Sequence, residues 1–123
     1  MNDPSAHEKF LSKLKQSGEV KITVTGRKSK KKFSTPVWFV LDGGEKKVEL
    51  VPVKGSDSNW FKDLVKDPRI ELSVDDTSIA SKATLVRDPN QAKKILDKLR
   101  AKYKSEWSES YYTKRDVSVE VPV

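Results

Sequence analysis

The sequence has no cysteine and only one histidine, His7. Without cysteine the chain cannot form disulfide bonds or thiolate metal sites. One isolated histidine supplies neither a cluster of metal ligands nor a base paired with a nucleophile, and no carboxylate pair or nucleophile motif stands out. We therefore predict no metal site and no catalytic side chain, and expect any reactive chemistry to come from a bound cofactor.

Long apolar runs are missing too. No segment approaches the roughly 20 apolar residues of a membrane span, and the N-terminal segment lacks a signal-type apolar stretch. We accordingly expect a cytoplasmic protein with no membrane span. The patterns GxxxxGK(S/T) and GxGxxG are also absent, which removes support for nucleoside triphosphate binding and for a Rossmann fold. A chain of 123 residues suits one domain, expected to span 1–123.

Positive charge is in excess, with 25 lysines and arginines against 18 acidic residues and a net charge of +7. Such a surface attracts phosphate-bearing ligands, although it also serves solubility. The densest cationic run covers residues 27–32, directly after Gly26 and between two predicted strands. Side-chain charges and the N–H groups of the turn can hold phosphate there. A solvated hairpin tip or a nucleic-acid-binding patch are the alternatives.

The hydrophobic periodicity predicts a mainly β (α+β) fold. Period-two alternation indicates six strands, which cover residues 20–25, 33–42, 47–53, 70–74, 79–87 and 117–121. Helical spacing indicates three helices, over 5–16, after residue 58 and after Pro89. Hairpin-like links such as Asp42-Gly43-Gly44 favour a six-stranded antiparallel β-barrel with peripheral helices. A doubly wound parallel sheet would need a helix after nearly every strand.

Two further segments could carry chemistry. In the first, Trp38 follows the strand proline Pro36, and such an aromatic ring either stacks on a planar ligand or fills the core. Pro36 also marks a bulge, an edge or a gap in the strand ladder, because it has no N–H group. In the second, Lys54 precedes small residues and a predicted helix N-terminus near Trp60. That arrangement suits an anion, or an ordinary capped helix with a core tryptophan.

Taken in order, these segments resemble the deazaflavin-dependent nitroreductase family, within the pyridoxamine-phosphate-oxidase-like split barrels. The resemblance covers roughly residues 25–74. It rests on Thr25-Gly26-Arg27-Lys28-Ser29, Thr35-Pro36-Val37-Trp38-Phe39, Lys54-Gly55-Ser56-Asp57-Ser58-Asn59-Trp60, Leu64 and Asp67-Pro68-Arg69-Ile70. Phe33 stands where the family usually has a basic residue, and Lys30 stands where it has glycine.

The resemblance implies a flavin-binding split barrel that uses the deazaflavin coenzyme F-420, or FMN as in relatives. The implied cofactor-binding residues are Arg27, Lys28, Ser29, Thr35, Pro36, Val37, Trp38, Val51, Val53, Lys54, Asn59 and Trp60. Lys28 and Lys54 would hold the phosphate-bearing tail. The implied substrate residues form a C-terminal aromatic set of Tyr103, Trp107, Tyr111 and Tyr112, for which helix and dimer packing is the alternative.

The expected function is therefore hydride transfer from a phosphate-bearing redox cofactor to a small electron acceptor, in a homodimer. One alternative is a split barrel that binds the cofactor without turnover. Another is a nucleic-acid-binding β-barrel that uses the lysine run and exposed aromatic residues. The strand proline and the loop before Trp60 make nucleic acid the less favoured partner.

Overall fold

A computed structural model of the chain describes residues 4–44, 46–108 and 110–123, with side chains from residue 8 onward. The side chain of His7 therefore lies outside the described residues. Within those ranges the chain forms three α-helices, namely α1 (Pro4–Lys15), α2 (Asn59–Lys66) and α3 (Pro89–Lys102). None of these helices has the length and apolar composition needed to span a membrane.

The described residues also form eight strands. These are β1 (Val20–Thr25), β2 (Lys32–Val37), β3 (Val40–Leu41), β4 (Lys47–Leu50), β5 (Arg69–Val74), β6 (Thr77–Lys82), β7 (Thr84–Val86) and β8 (Ser118–Pro122). They make two antiparallel four-stranded sheets, one in the order β2-β1-β5-β6 and the other in the order β3-β4-β8-β7. The mainly β prediction is confirmed. The prediction of a six-stranded barrel is wrong, because there are eight strands and the sheets do not close into a barrel.

The difference arises where a predicted strand passes from one sheet into the other. The run predicted as 33–42 leaves the ladder with β1 after Val37, which pairs with Val20, and enters the second sheet at Val40. The run predicted as 79–87 is interrupted at Ala83, whose N–H donates to the Pro68 carbonyl at 2.8 Å. Alternation of apolar residues does not record such a change of partner, so the sequence showed each run as one strand.

Several local predictions are confirmed. The Asp42 carboxylate accepts hydrogen bonds from the N–H groups of Lys46 and Lys47, at 2.7 and 2.8 Å, and so closes the β3–β4 hairpin. The helix predicted after Pro89 is present as α3, and Asp88 caps it by accepting from the Asn90 N–H at 2.9 Å. Pro36 lies on β2, an edge strand of the first sheet, which is one of the places where a sheet tolerates proline.

The core has two parts. The larger part lies between the sheets and is closed by Phe10 and Leu14 of α1 and by Phe61 and Leu64 of α2. The smaller part lies under α3. It comprises Val40, Val51, Ile95, Leu96, Leu99, Tyr103 and Tyr112, with Trp38, Val53 and Trp107 packed against it. The smaller part therefore joins α3 to the segment where β2 ends and β3 begins.

The chain before β8 docks on the loop after β4. Thr113 donates its N–H to the Val53 carbonyl at 2.9 Å. The Asp116 carboxylate accepts from both the N–H and the hydroxyl of Ser56, at 3.0 and 2.5 Å. Gly55, which precedes Ser56, is buried and has a φ of +55°. A Cβ atom there would collide with Asp116 and come within 2.8 Å of the Lys114 carbonyl.

We expect Gly55→Ala to lower the free energy of unfolding by about 2–4 kcal/mol. The left-handed backbone costs a residue with Cβ about 1–2 kcal/mol, and displacing Asp116 from Ser56 adds the loss of two hydrogen bonds. Urea denaturation monitored by circular dichroism measures the change. Gly43→Ala is the matched control, since a Cβ at Gly43 meets no atom within 4 Å. Equal effects of the two substitutions would contradict the prediction.

Candidate cofactor-binding site

The cationic loop between β1 and β2 is a compact turn. The Gly26 N–H donates to the Lys31 carbonyl at 2.8 Å, and the Lys30 N–H donates to the Gly26 carbonyl at 3.0 Å. Lys30 adopts a φ of 63° to make this turn. A Cβ at Gly26 would lie 2.8 Å from both the Phe33 ring and the Ser29 hydroxyl. Glycine thus allows the loop to pack closely on the start of β2, and a larger residue would displace the Phe33 and Ser29 side chains.

Arg27 is tied to α2. Its guanidinium bonds to the Asp63 carboxylate at 2.7 Å, and its backbone N–H donates to the same oxygen at 3.1 Å. The Asp63 side chain is 8% exposed and that of Arg27 is 25% exposed, so water screens this pair weakly. Arg27 also donates to the Asn59 carbonyl at 3.3 Å. The guanidinium is thus engaged in holding the loop, while Lys28 next to it is exposed.

A cleft of about 460 Å³ opens beside this loop. Six of the predicted cofactor residues line it, namely Arg27, Lys28, Ser29, Thr35, Asn59 and Trp60. Gly26, Phe33, Ser34 and Asp63 complete the lining and were not among the predicted site residues. The loop, the edge strand β2 and the first turn of α2 thus form the three walls of one cleft.

A smaller groove of about 140 Å³ adjoins the cleft through Thr35 and Trp60, which line both. The groove is lined by Thr35, Pro36, Val37, Trp38, Val51, Val53, Trp60, Tyr111 and Tyr112. All nine residues are in the predicted cofactor and substrate sets. Cationic and hydroxyl groups therefore lie at one end of the combined site, and flat apolar walls lie at the other.

Three predicted residues line neither space, namely Lys54, Tyr103 and Trp107. Lys54 is exposed at the start of the turn after β4, next in sequence to the groove residue Val53. Its N–H donates to the Ser58 hydroxyl at 2.9 Å. Ser58, at the N-cap of α2, therefore makes no side-chain cap to the helix. Tyr103 and Trp107 lie behind the aromatic wall.

The aromatic residues form a connected chain. The Trp38 and Tyr103 rings stack with centroids 4.5 Å apart and planes 6° from parallel. On the groove side, Tyr111 lies 5.4 Å from Trp38 and 5.1 Å from Tyr112. Tyr112 in turn stacks on Trp107 at 5.6 Å. The groove wall of Trp38, Tyr111 and Tyr112 is thus supported by two further rings.

The backbone of Phe39 is held by the C-terminal end of α3. The Tyr103 hydroxyl accepts from the Phe39 N–H at 3.2 Å and donates to the Phe39 carbonyl at 3.1 Å. The Lys102 ammonium donates to the same carbonyl at 2.9 Å and lies 3.5 Å from the centre of the Phe39 ring. Burial lowers the pKa of Lys102 to about 8 and raises the pKa of Tyr103.

Other clefts in the described residues lack this combination of groups. One of about 470 Å³ lies on the first sheet, where Thr23, Thr25 and Glu71 are among the lining residues. Another of about 520 Å³ lies between α1 and α3, with Lys15, Lys98 and Lys102 around an apolar floor. Neither contains a residue of the predicted site, and neither pairs cations with a stack of aromatic rings.

Sequence analysis did not assign Phe33 and Asp63 to the site, although the sequence holds a weak indication for each of them. Phe33 is a large aromatic residue on β2 that is 56% exposed, and an exposed aromatic ring beside a cationic loop favours a ligand surface. Asp63 lies between the buried Phe61 and Leu64 of α2. A carboxylate within a buried stripe needs a cationic partner, but the sequence alone did not show that Arg27 supplies it.

Several solved structures of other proteins superpose on this chain along most of its length. An F-420-H2-dependent reductase superposes with a TM-score of 0.59 at 21% identity, over 85% of this chain and 93% of its own. A putative 5-nitroimidazole antibiotic resistance protein from Bacteroides thetaiotaomicron gives 0.71 at 14% identity, over 100% and 81%. A putative pyridoxamine 5'-phosphate oxidase from Listeria innocua gives 0.66 at 15% identity, over 93% and 90%. The fold is thus that of the pyridoxamine-phosphate-oxidase-like proteins.

The profile of the F-420H(2)-dependent quinone reductase family matches residues 7–123. The chain therefore belongs to this family, which consists of oxidoreductases that use a deazaflavin cofactor. No curated protein matches the chain. The residues present suit such a cofactor, because an exposed lysine and a hydroxyl lie at the cleft end and aromatic rings line the groove end.

We expect Arg27→Met to lower the free energy of unfolding by about 2–4 kcal/mol, because it leaves the buried Asp63 carboxylate without its cation. The neighbouring Lys28→Met should change it by less than about 0.5 kcal/mol, since Lys28 is an exposed surface residue. Urea denaturation measures the free energy of unfolding of both variants, and so distinguishes Arg27, which holds the loop, from Lys28, which lies on the surface. Similar stability losses in the two variants would contradict this division.

We expect the stability of the wild type to rise with pH relative to Lys102→Met above about pH 8. The folded protein releases the Lys102 proton near its pKa of about 8, whereas the unfolded chain keeps it up to the ordinary value of 10.5. The unfolded state thus binds more protons in this window, so raising the pH favours the folded state. Urea unfolding of both proteins from neutral pH to about pH 10 measures the difference, and parallel profiles would contradict it.

Proposed function

We propose that this protein binds coenzyme F-420 in the cleft and groove described above and transfers a hydride from its reduced form to a small electrophile. The observation that carries the proposal is that the two spaces are adjacent and share Thr35 and Trp60 as lining residues. Together they offer cations to an anionic tail and flat apolar walls to a ring system. Membership of the F-420H(2)-dependent quinone reductase family supports the choice of deazaflavin over FMN.

The cationic end of the site would hold the phosphate-bearing tail. Lys28 is exposed at the cleft while Arg27 is held by Asp63, so Lys28 is the loop residue available for a new charge-assisted bond. The Ser29 hydroxyl lies at the same cleft. Lys54, exposed beside Val53, is proposed to approach the tail from the other side of the α2 N-terminus. That N-terminus adds a favourable field for an anion.

The apolar end would receive the ring. The apolar lining of the groove is supplied by Pro36, Val37, Val51 and Val53. Flat surfaces for stacking are supplied by Trp38 and Trp60. The cleft volume of about 460 Å³ falls within the range of about 300–1,000 Å³ that small ligands occupy. The groove of about 140 Å³ is smaller. Tyr111, which is 48% exposed at its rim, is the wall residue with most freedom to move aside.

When bound, the deazaflavin supplies the hydride, and no side chain of the protein has to react. The protein contributes orientation, by confining the ring between fixed aromatic walls, and exclusion of water from the groove. Tyr111 and Tyr112 line the groove and are proposed to contact the electron acceptor. An aromatic wall favours planar acceptors such as quinones and nitroaromatic compounds. The homodimeric state and the cytoplasmic location stay predictions from the sequence.

We expect the purified protein to bind coenzyme F-420, and Lys28→Glu or Lys54→Glu to weaken binding about tenfold or more. Each change replaces an attraction worth about 1.5–3 kcal/mol with a repulsion. Titration followed by deazaflavin fluorescence measures the dissociation constants, with FMN as a parallel ligand. Lys93→Glu on α3 makes the same change of charge at an exposed lysine that lines neither space, and it should bind like the wild type.

A second measurement separates turnover from binding. Reduced F-420 and a quinone or nitroaromatic acceptor are mixed with the protein, and cofactor oxidation is followed by absorbance. Oxidation that depends on both protein and acceptor supports the proposal. Tight binding without oxidation of any acceptor would favour a non-catalytic cofactor-binding barrel. Salt-sensitive binding of oligonucleotides with no affinity for F-420 or FMN would overturn the proposal.

A further inference from the structure

We propose that Tyr103 is a positioning residue, which fixes the Trp38 ring at the groove wall by replacing a missing strand partner at Phe39. The inference rests on the proposed function only where it concerns the cofactor, because the arrangement of Trp38 is a property of the protein itself. It assigns Tyr103 a role different from direct substrate contact, the role that the family resemblance implied.

The need for such a residue follows from the passage of the chain between the sheets. Trp38 and Phe39 lie after the last pair of the β1–β2 ladder, Val20 with Val37, and before the first pair of the β3–β4 ladder. Phe39 is 1% exposed, so neither its N–H nor its carbonyl group can rely on water. A buried backbone group without a partner costs about 1–3 kcal/mol.

The Tyr103 hydroxyl serves both groups at once. It accepts from the Phe39 N–H and donates to the Phe39 carbonyl, at 3.2 and 3.1 Å, as a residue on a neighbouring antiparallel strand would do. Burial holds the pKa of Tyr103 above its ordinary value, which keeps the hydroxyl protonated and able to donate. Lys102 adds a second donor to the carbonyl at 2.9 Å.

The Tyr103 side chain also fixes the position of the Trp38 ring, which belongs to the residue before Phe39. Trp38 stacks on Tyr103 at 4.5 Å and 6°, and Trp38 lines the groove while Tyr103 does not. Tyr103 itself is 6% exposed and is anchored to α3 by its N–H bond to the Leu99 carbonyl at 2.9 Å. One face of Trp38 is therefore fixed against a helix-borne ring. A wall that is ordered before the ligand arrives binds it with less loss of entropy.

The test is Tyr103→Phe, which removes the hydroxyl and keeps the ring. It is made in a protein that also carries Trp60→Phe and Trp107→Phe, so that Trp38 is the one tryptophan left and its fluorescence can be measured alone. We expect faster acrylamide quenching and lower fluorescence anisotropy of Trp38 in the ligand-free protein. Val74→Ala, a buried residue of the β5–β6 hairpin, is the control for general loss of stability and should leave both signals unchanged. Lys102→Met keeps the Tyr103 hydroxyl but removes the second donor to the Phe39 carbonyl and the ammonium over the Phe39 ring, so it should shift them in the same direction by less.

The effect on the ligand is measured without the tryptophan substitutions. Tyr103→Phe should raise the dissociation constant of coenzyme F-420 by about threefold or more, and Val74→Ala should leave it unchanged. Unchanged Trp38 signals in both Tyr103→Phe and Lys102→Met would overturn the positioning role. Trp38 signals that change in a protein that binds no F-420 would support the positioning role and reject the proposed function, so the two failures are distinguishable.

Discussion

The geometry of the candidate site depends on one partly buried ion pair, between Arg27 and Asp63. Asp63 of α2 accepts from both the backbone and the guanidinium of Arg27, and this contact ties the cationic loop to the helix on the other side of the cleft. The loop carries three lysines close together, Lys28, Lys30 and Lys31, and without the ion pair their mutual repulsion would favour a more open turn. The pair thereby joins two of the walls of the cleft, because Arg27 and Asp63 both line it.

Much of the site could be predicted from the sequence, because it rests on local signals. Three local features each indicate a particular backbone conformation or charge: Gly26 before a cationic run, Pro36 on a strand, and a short loop before Trp60. Gly26, Pro36 and Trp60 all line the cleft or the groove. Edge placement of Pro36 follows from its missing N–H group. The family resemblance then ordered these pieces, although the pattern alone left core packing and solvated loops open as alternatives.

The rest required contacts between distant parts of the chain. Arg27 and Asp63 are 36 positions apart, and Phe39 and Tyr103 are 64 apart, so no window of sequence contains both partners. The prediction of six strands failed for a related reason, since the structure has eight in the described residues. Side-chain alternation continues through residue 38 and through residue 83 while the hydrogen-bonding partner of the backbone changes, and alternation reports only which face is buried.

The position of β2 has a consequence for the behaviour of the protein in concentrated solution. This strand is an outer edge of its sheet and also one wall of the candidate site, so the proposed cofactor binding requires it to stay uncovered. Uncovered edges invite pairing with other chains and aggregation. Lys32 at the start of β2 and Pro36 near its end oppose such pairing through charge and a missing donor. Lys32 and Pro36 therefore disfavour edge-to-edge pairing at the strand that borders the proposed binding site.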